Sequence, residues 1–311
     1  MICEIIHPVA QELIEAELNC DRFLRKTNKG GNEIYIVDAF NSPNVMREIG
    51  RLREITFREA GGGTGKDCDI DEFDTMQSPC KQLIVWDPDA RQILGGYRYI
   101  CGCDVQLDEN GAPRIATGHL FNFSEDFIKN YLPYTIELGR SFVRPEYQSS
   151  TAGAKALFAL DNLWDGLGSL IVDCPDMKYF FGKVTMYPSY NMECRNMILH
   201  FLHKHFHDKD NLVTPIAPLE YSCDMAEMNR IFTGTTYKED LTNLHTVVNS
   251  CGVHVPPLVN AYMGLSPTLR VFGTAINHEF GDVEETGIFI AIDEILDEKK
   301  RRHIESYRPA E

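Results

Sequence analysis

The stretch LIVWDPDARQILGGYRYIC, Leu83 to Cys101, decides the fold class. Its two ends, Leu83 to Asp87 and Ile93 to Cys101, are rich in β-branched and aromatic residues, and Pro88-Asp89-Ala90-Arg91 between them has turn chemistry. That pattern predicts an antiparallel hairpin. Downstream, Thr135 to Val143 reads as another strand, and Gly153 to Leu167 sets Ala156, Leu157, Leu160, Leu163 and Trp164 on one helical face, giving a strand, loop and helix unit. Tyr179 to Val184 is a further strand, Tyr190 to His205 a helix, Gly287 to Ile292 a late strand and Asp293 to His303 a charged helix. Upstream, Ser42-Pro43 starts a helix that Val45, Met46, Ile49, Leu52 and Ile55 carry to about Ala60, where Gly61 to Gly65 ends it. Before it, Glu33 to Val37 reads as a strand, and Val9, Leu13, Ile14, Leu18, Phe23 and Leu24 fall at helical spacing. These elements imply an α/β protein with a central mixed, largely antiparallel sheet flanked by helices. One domain spanning residues 1–311 is expected, with its core at about 33–205 and 255–292, an elaboration at 206–254 and a C-terminal helix within 293–311.

The chain has 311 residues, of which 43% are apolar, enough to bury a large core. A formal charge of −16 argues against nucleic-acid binding, which depends on neutralising phosphates. No apolar run approaches the roughly 18 residues of a membrane span, and Met1-Ile2-Cys3-Glu4 opens no secretory signal pattern. Ten cysteines without a C-x-x-C pair fit reduced thiols in a cytoplasmic enzyme. An acidic macromolecular partner would need a local basic patch, for which Arg140, Arg144, Lys155, Lys178 and Lys183 are the candidates.

The densest polar cluster is Asp67, Asp69, Asp71, Glu72 and Asp74 around Phe73. Carboxylates so close repel one another unless a cation sits among them, and the segment lacks the glycine and distal glutamate of a calcium loop. Glu137-Leu138-Gly139-Arg140 lies on a strand expected to be buried, where alternation places Glu137 and Arg140 on opposite faces unless a bulge intervenes. Burial raises a glutamate's pKa toward the range of a general base, although a structural ion pair is an alternative. Arg53 precedes Phe57 by one helical turn, and Gly95-Gly96-Tyr97-Arg98 puts another arginine on the hairpin.

In this order, Arg53 and Phe57, Asp71-Glu72-Phe73-Asp74, Gly96-Tyr97-Arg98 and Glu137-Leu138-Gly139-Arg140 resemble the motif series of the acyl-homoserine-lactone synthases, which have the GNAT acetyltransferase-like fold. The likeness is closer to the ornithine-lipid and glycine-lipid N-acyltransferases, formerly called hemolysin-like, through Glu137 to Tyr147, Leu163-Trp164-Asp165-Gly166-Leu167, Tyr179-Phe180-Phe181-Gly182 and Val255-Pro256-Pro257-Leu258. It covers roughly residues 45–292. The resemblance implies a GNAT-like acyl-CoA N-acyltransferase fold and a fatty acyl group moved from a phosphopantetheine thioester, on acyl carrier protein or coenzyme A, to the amino group of an amino acid such as glycine or ornithine. This would be an early step of aminolipid biosynthesis, with no bound cofactor or metal. Glu137 is then the candidate base and Arg140 its catalytic companion. Asp71 and Asp74 would hold the ammonium group; Arg53, Arg98 and Arg140 would order the loop or bind a carboxylate; and Phe57 would pack beside them. Arg144 joins the substrate-binding candidates. A signal synthase of the lactone type and an inactive acyl-carrier or lipid-binding module are the alternatives.

Gln148-Ser-Ser-Thr-Ala-Gly153 has a single glycine where coenzyme A-dependent acetyltransferases bind pyrophosphate on a short glycine-rich loop, which favours acyl carrier protein as donor. Tyr187 or Tyr190 is a candidate acid for the leaving thiolate. His200, His203 and His207 share a helical face but lack an intervening carboxylate, so a metal site there is not expected. Gly61 to Lys66 follows a helix and lacks the strand-to-helix setting of a phosphate loop, so a flexible loop over the active site is expected instead. Lys299-Lys300-Arg301-Arg302-His303 could touch anionic lipid at the inner membrane, though a solvated helix end explains it as well.

Overall fold

The computed structural model describes residues 2–148 and 153–308. Most of the Gln148 to Gly153 loop and the side chain of Lys155 lie outside the described residues. The chain runs α1 (Gln11–Glu17), β1 (Phe23–Lys26), β2 (Glu33–Val37), α2 (Pro43–Glu59), the single turn α3 (Glu72–Thr75), β3 (Lys81–Asp87), β4 (Gln92–Cys101), β5 (Phe121–Phe123) and β6 (Thr135–Val143). It continues with α4 (Gly153–Asp173), β7 (Tyr179–Met186), α5 (Met192–Phe206), β8 (Val213–Pro215), α6 (Met225–Ile231), α7 (Tyr237–Ser250), α8 (Pro257–Met263), β9 (Arg270–Asn277), β10 (Val283–Ala291) and α9 (Asp297–His303). Eight strands form one sheet in the order β1-β2-β3-β4-β6-β7-β10-β9, antiparallel except where β6 meets β7, and β5 pairs with β8 separately.

The two faces of this sheet differ in chemistry. On one, Leu83, Val85, Tyr99, Ile136, Leu138, Phe180, Val184 and Ile290 form a continuous apolar core with Leu163 and Leu167 of α4 and Ile198 and Phe201 of α5. On the other, the apolar residues divide into two clusters, one around α2 with Ile84, Trp86 and Phe142, the other around Phe121, Phe127, Phe181 and Phe289. Between the clusters six adjoining strands each present a polar residue with little or no exposure: Gln82 on β3, Arg98 on β4, Glu137 on β6, Lys183 on β7, Glu285 on β10 and Asn277 on β9. Strand alternation, which would otherwise continue either cluster, is interrupted there by a polar belt.

The hairpin from Leu83 to Cys101 is β3 and β4, paired through Leu83↔Tyr97 and Ile84↔Gly96. Phe23 and Leu24, expected at the end of a helix, begin the short edge strand β1, and α1 ends earlier at Glu17. Four residues are too few to separate the two periods. Strand β9 had no counterpart in the expected elements, and residues 206–254 supply β8, α6 and α7. In α9, Arg302 bonds Asp161 at 2.6 Å and the buried His303 bonds Asp165 at 2.8 Å, so two of the basic residues considered for lipid contact instead dock this helix on α4. Among the described residues no helix is long and apolar enough to cross a membrane.

Candidate active site

The site begins at an irregularity in β6. Gly96 of β4 pairs with Phe142 and Arg98 pairs with Gly139, so β6 carries one extra residue between these pairs. Arg140 takes it up with a φ of 48°, in the left-handed region. The bulge turns Arg140 onto the same sheet face as Glu137, against the alternation a regular strand imposes. On its other edge β6 pairs with β7 only at Thr135↔Tyr179, Ile136↔Phe180 and Glu137↔Phe181. Beyond Glu137 the strands part. The opening, a cavity of about 190 Å³, has Leu138, Gly139 and Ser141 on one side, Gly182, Lys183 and Thr185 on the other, and Pro257, Leu258 and Tyr262 of α8 above.

A second cavity, of about 540 Å³, lies on the polar face, lined by Lys66, Asp71, Glu72, Phe73, Arg98, Ala116, His119, Asn277 and Glu279. Arg140 and Phe280 line both cavities.

The residues singled out in the sequence take three positions. Asp71, Arg98 and Arg140 reach the ionic cavity. Asp71 caps α3 and accepts from Arg98 Nη1 at 2.6 Å, while Arg140 Nε stands 2.8 Å from Asp69 Oδ2. Burial alone would push the Asp71 carboxyl up, yet Arg98, Arg140 and Arg53 bring it down to about 2, so it stays an anion. Phe57 lines the narrower opening and meets Phe280 edge to face at 5.1 Å.

Arg53 and Asp74 are fully buried and line neither cavity. Asp74 accepts from Arg53 Nη1 at 3.1 Å, Arg98 Nη1 at 3.2 Å, Gln82 Nε2 at 2.9 Å and the Asp71 amide at 3.2 Å. With four donors on its two oxygens Asp74 fixes the loop that carries Asp71, and it does not reach either cavity as the sequence reading expected of an ammonium partner. Arg144 follows the end of β6 and bonds Gln92 and Glu146, away from both cavities.

Glu137 is not paired with Arg140. Its Oε1 accepts from the Thr117 amide at 2.9 Å and the Thr117 hydroxyl at 2.8 Å, and its Oε2 from the Ala116 amide at 3.4 Å. Burial raises its pKa although these donors oppose the rise. It lines neither cavity, standing behind the segment that brings Ala116 and His119 to the larger one.

The glycine loop after α2 does border the ionic cavity, through Thr64 and Lys66. Glu54 ties it down, accepting from the Thr64 amide and hydroxyl and from the Gly65 amide. Among the described residues the basic patch expected for an acidic partner is incomplete: Arg140 and Lys183 point inward into ion pairs, Arg144 is half-buried against Gln92 and Glu146, and Lys178 is exposed.

Residues 52–157 match the acetyltransferase (GNAT) domain family. The chain is 64% identical over 98% of its length to a glycine N(alpha)-acyltransferase of Bacteroides thetaiotaomicron, of which it covers 90%, and 62% identical over 98% to one of Phocaeicola vulgatus, of which it covers 93%. The chain belongs to the glycine N(alpha)-acyltransferase family. Solved structures with some likeness include the coenzyme A-dependent acyl-homoserine lactone synthase BjaI with S-adenosylmethionine and isopentyl-CoA, at a TM-score of 0.38 and 10% identity over 89% of both chains.

Lys183, considered in the sequence only for a basic patch, and Glu285, His119 and Asn277, which were not singled out there, border the two cavities. Lys183 is bonded to Glu285, whose Oε2 also accepts from Asn277 Nδ2 at 2.8 Å. Both charged groups line the opening, and Asn277 lines the ionic cavity. Burial, then Lys183, lowers the pKa of His119. Tyr187 also lines the opening, its hydroxyl pushed up by burial to about 12, whereas Tyr190 donates to the His254 carbonyl outside both cavities. No local motif marks Lys183 and Glu285, which lie 102 residues apart.

Proposed function

We propose that this N-acyltransferase moves a fatty acyl group from an acyl carrier protein thioester to the amino group of glycine, an early step of aminolipid synthesis. The observation that carries the reading is the meeting of two unlike cavities at Arg140 and Phe280. The narrow opening between β6 and β7 suits a linear acyl-phosphopantetheine, whose amides can pair with strand edges freed where the parallel pairing stops. The ionic cavity suits a small zwitterion, with Asp71 for the ammonium group and Arg98 or Arg140 for the carboxylate. Backbone N–H groups at the Arg140 bulge supply the oxyanion donors.

Glycine as acceptor follows the name of the relatives, and acyl carrier protein as donor follows the single glycine in Gln148 to Gly153. Glu137 positions the Ala116 to His119 segment, since its oxygens already serve three donors.

Purified enzyme is offered palmitoyl-acyl carrier protein with glycine, ornithine, serine or no acceptor, and thiol release and product mass are followed. Release with glycine and the mass of N-palmitoylglycine are expected. Release only with another amine would replace the acceptor, and equal turnover of palmitoyl-CoA would remove the carrier preference.

A further inference from the structure

A buried ion pair stands where the two cavities adjoin. Lys183 and Glu285 have side-chain exposures of only 9% and 5%, and they meet because Thr185 of β7 is the register partner of Glu285 on β10. A pair so buried contributes less to stability than apolar side chains of the same shape, so packing alone does not account for it. Its hydrogen bonding is also incomplete on the cavity side. Among the described residues Glu285 is the one hydrogen-bond partner of the Lys183 ammonium, and Glu285 Oε1 accepts only a long bond of 3.3 Å from the Thr185 hydroxyl. Asp74, which serves structure alone, has four donors on its two oxygens. Free donor and acceptor capacity, buried and lining the opening assigned to the thioester, is what proton transfer during acylation requires.

We propose that Lys183 and Glu285 move the protons of the acyl transfer, an inference that rests on the thioester occupying the opening between β6 and β7. The substrate ammonium gives a proton to Glu285 Oε1. The nitrogen lone pair forms the C–N bond while the carbonyl π electrons move to oxygen. As the oxyanion collapses, the C–S bond breaks with its electron pair on sulfur, and Lys183 Nζ protonates the thiolate. The proton on Glu285 passes to Lys183 and restores the pair, and the second proton of the acylated nitrogen leaves to solvent. Arg140, Glu137, His119, Asn277, Thr185 and Tyr187 are the groups around the pair. Burial and the nearby charge of Arg140 lower the Lys183 pKa despite Glu285, which makes it a readier acid toward a thiolate.

The test uses Lys183→Arg, which keeps a cation for Glu285 but offers a guanidinium that does not give up its proton, and Glu285→Gln. With palmitoyl-acyl carrier protein and glycine, each is expected to lower kcat about 100-fold, the scale of a lost proton donor or acceptor. With a thiophenyl thioester, whose leaving group needs no acid, the Lys183→Arg loss should shrink below about 10-fold. With glycine ethyl ester, a less basic amine, the Glu285→Gln loss should shrink relative to wild type on the same acceptor. Should a single variant fail to fold, the double variant Lys183→Met, Glu285→Leu removes both charges together and is compared on both thioesters. A wild-type kcat in Lys183→Arg, or a loss equal on both thioesters, overturns the assignment while leaving N-acylation intact. Absence of thiol release by the wild type with any amine overturns the N-acyltransfer reading, and the proposal falls with it.

Discussion

The guanidinium carbon of Arg140 sits 4.6 Å from the ring centre of Phe280, and these two side chains line both the narrow opening between β6 and β7 and the ionic cavity. Arg140 is held there from three directions, by the ring, by Asp69 and by Asp71. A lysine keeps the charge but loses both the planar stacking and the forked hydrogen bonds. Arg140→Lys is therefore expected to destabilise the protein by about 1–2 kcal/mol in urea unfolding. In thiol-release kinetics it should raise the KM for glycine about 10-fold, equivalent to about 1.4 kcal/mol, with a smaller change in the donor KM.

Arg53 tests the structural half of the belt. It and Asp74 have no exposed surface, so removing the cation leaves a buried carboxylate with Arg98 as its remaining charge partner. Arg53→Met is expected to cost about 3–5 kcal/mol, as is usual when one member of a buried pair is removed. Adding Asp74→Asn should restore part of that loss. A double-mutant cycle by urea unfolding checks the coupling.

The same contrast between local and distant signals governs what could be read from the sequence. β3 and β4 were legible because two runs rich in β-branched and aromatic residues, seven and ten residues long in the folded chain, flank a turn, whereas the four-residue β1 offers too little period to tell strand from helix. Asp71, Arg98 and Arg140, which the fold brings to one cavity, were singled out because their motifs occur in a recognisable order. The bulge that brings Arg140 beside Glu137's face was open in the sequence, since a glycine permits an irregular strand without requiring one. Lys183, Glu285 and Asn277 belong to three strands whose adjacency, β7-β10-β9, exists only in the folded sheet. A lone lysine or glutamate in an apolar strand is the signal that could have been followed, because burying it demands a partner.

Two carboxylates should set opposite pH dependences. Asp71, held at about 2 against an ordinary 3.8, binds fewer protons folded than unfolded, so its contribution is present above 3.8 and is lost as pH falls toward 2. The difference amounts to about 2 kcal/mol. Glu137, raised by burial, contributes stability that is full below its ordinary 4.5 and is lost as pH rises through its higher folded value. Urea unfolding across this acid range should show Asp71→Asn losing less stability than wild type as the pH falls. Glu137→Gln should lose less than wild type as the pH rises from 4.5.

Donor and acceptor binding should separate by mutation, because the two cavities have different walls. A Cβ at Gly182 would come within 2.9 Å of the Leu138 carbonyl oxygen, at the point where β6 and β7 part. Gly182→Val crowds that mouth against backbone, which cannot rotate away, at a cost of about 1–3 kcal/mol. The expected result is a donor KM raised at least about 10-fold with the glycine KM little changed. Glu54→Gln acts from the other side. It weakens the charged acceptor that ties Thr64 and Gly65 to α2 and so loosens the loop bearing Thr64 and Lys66. Here the glycine KM should rise several-fold, in line with the about 1 kcal/mol carried by such a hydrogen bond, and the donor KM should hold. Steady-state thiol release with each substrate varied in turn distinguishes the two. If Gly182→Val raised the glycine KM and spared the donor, the thioester would not lie between β6 and β7.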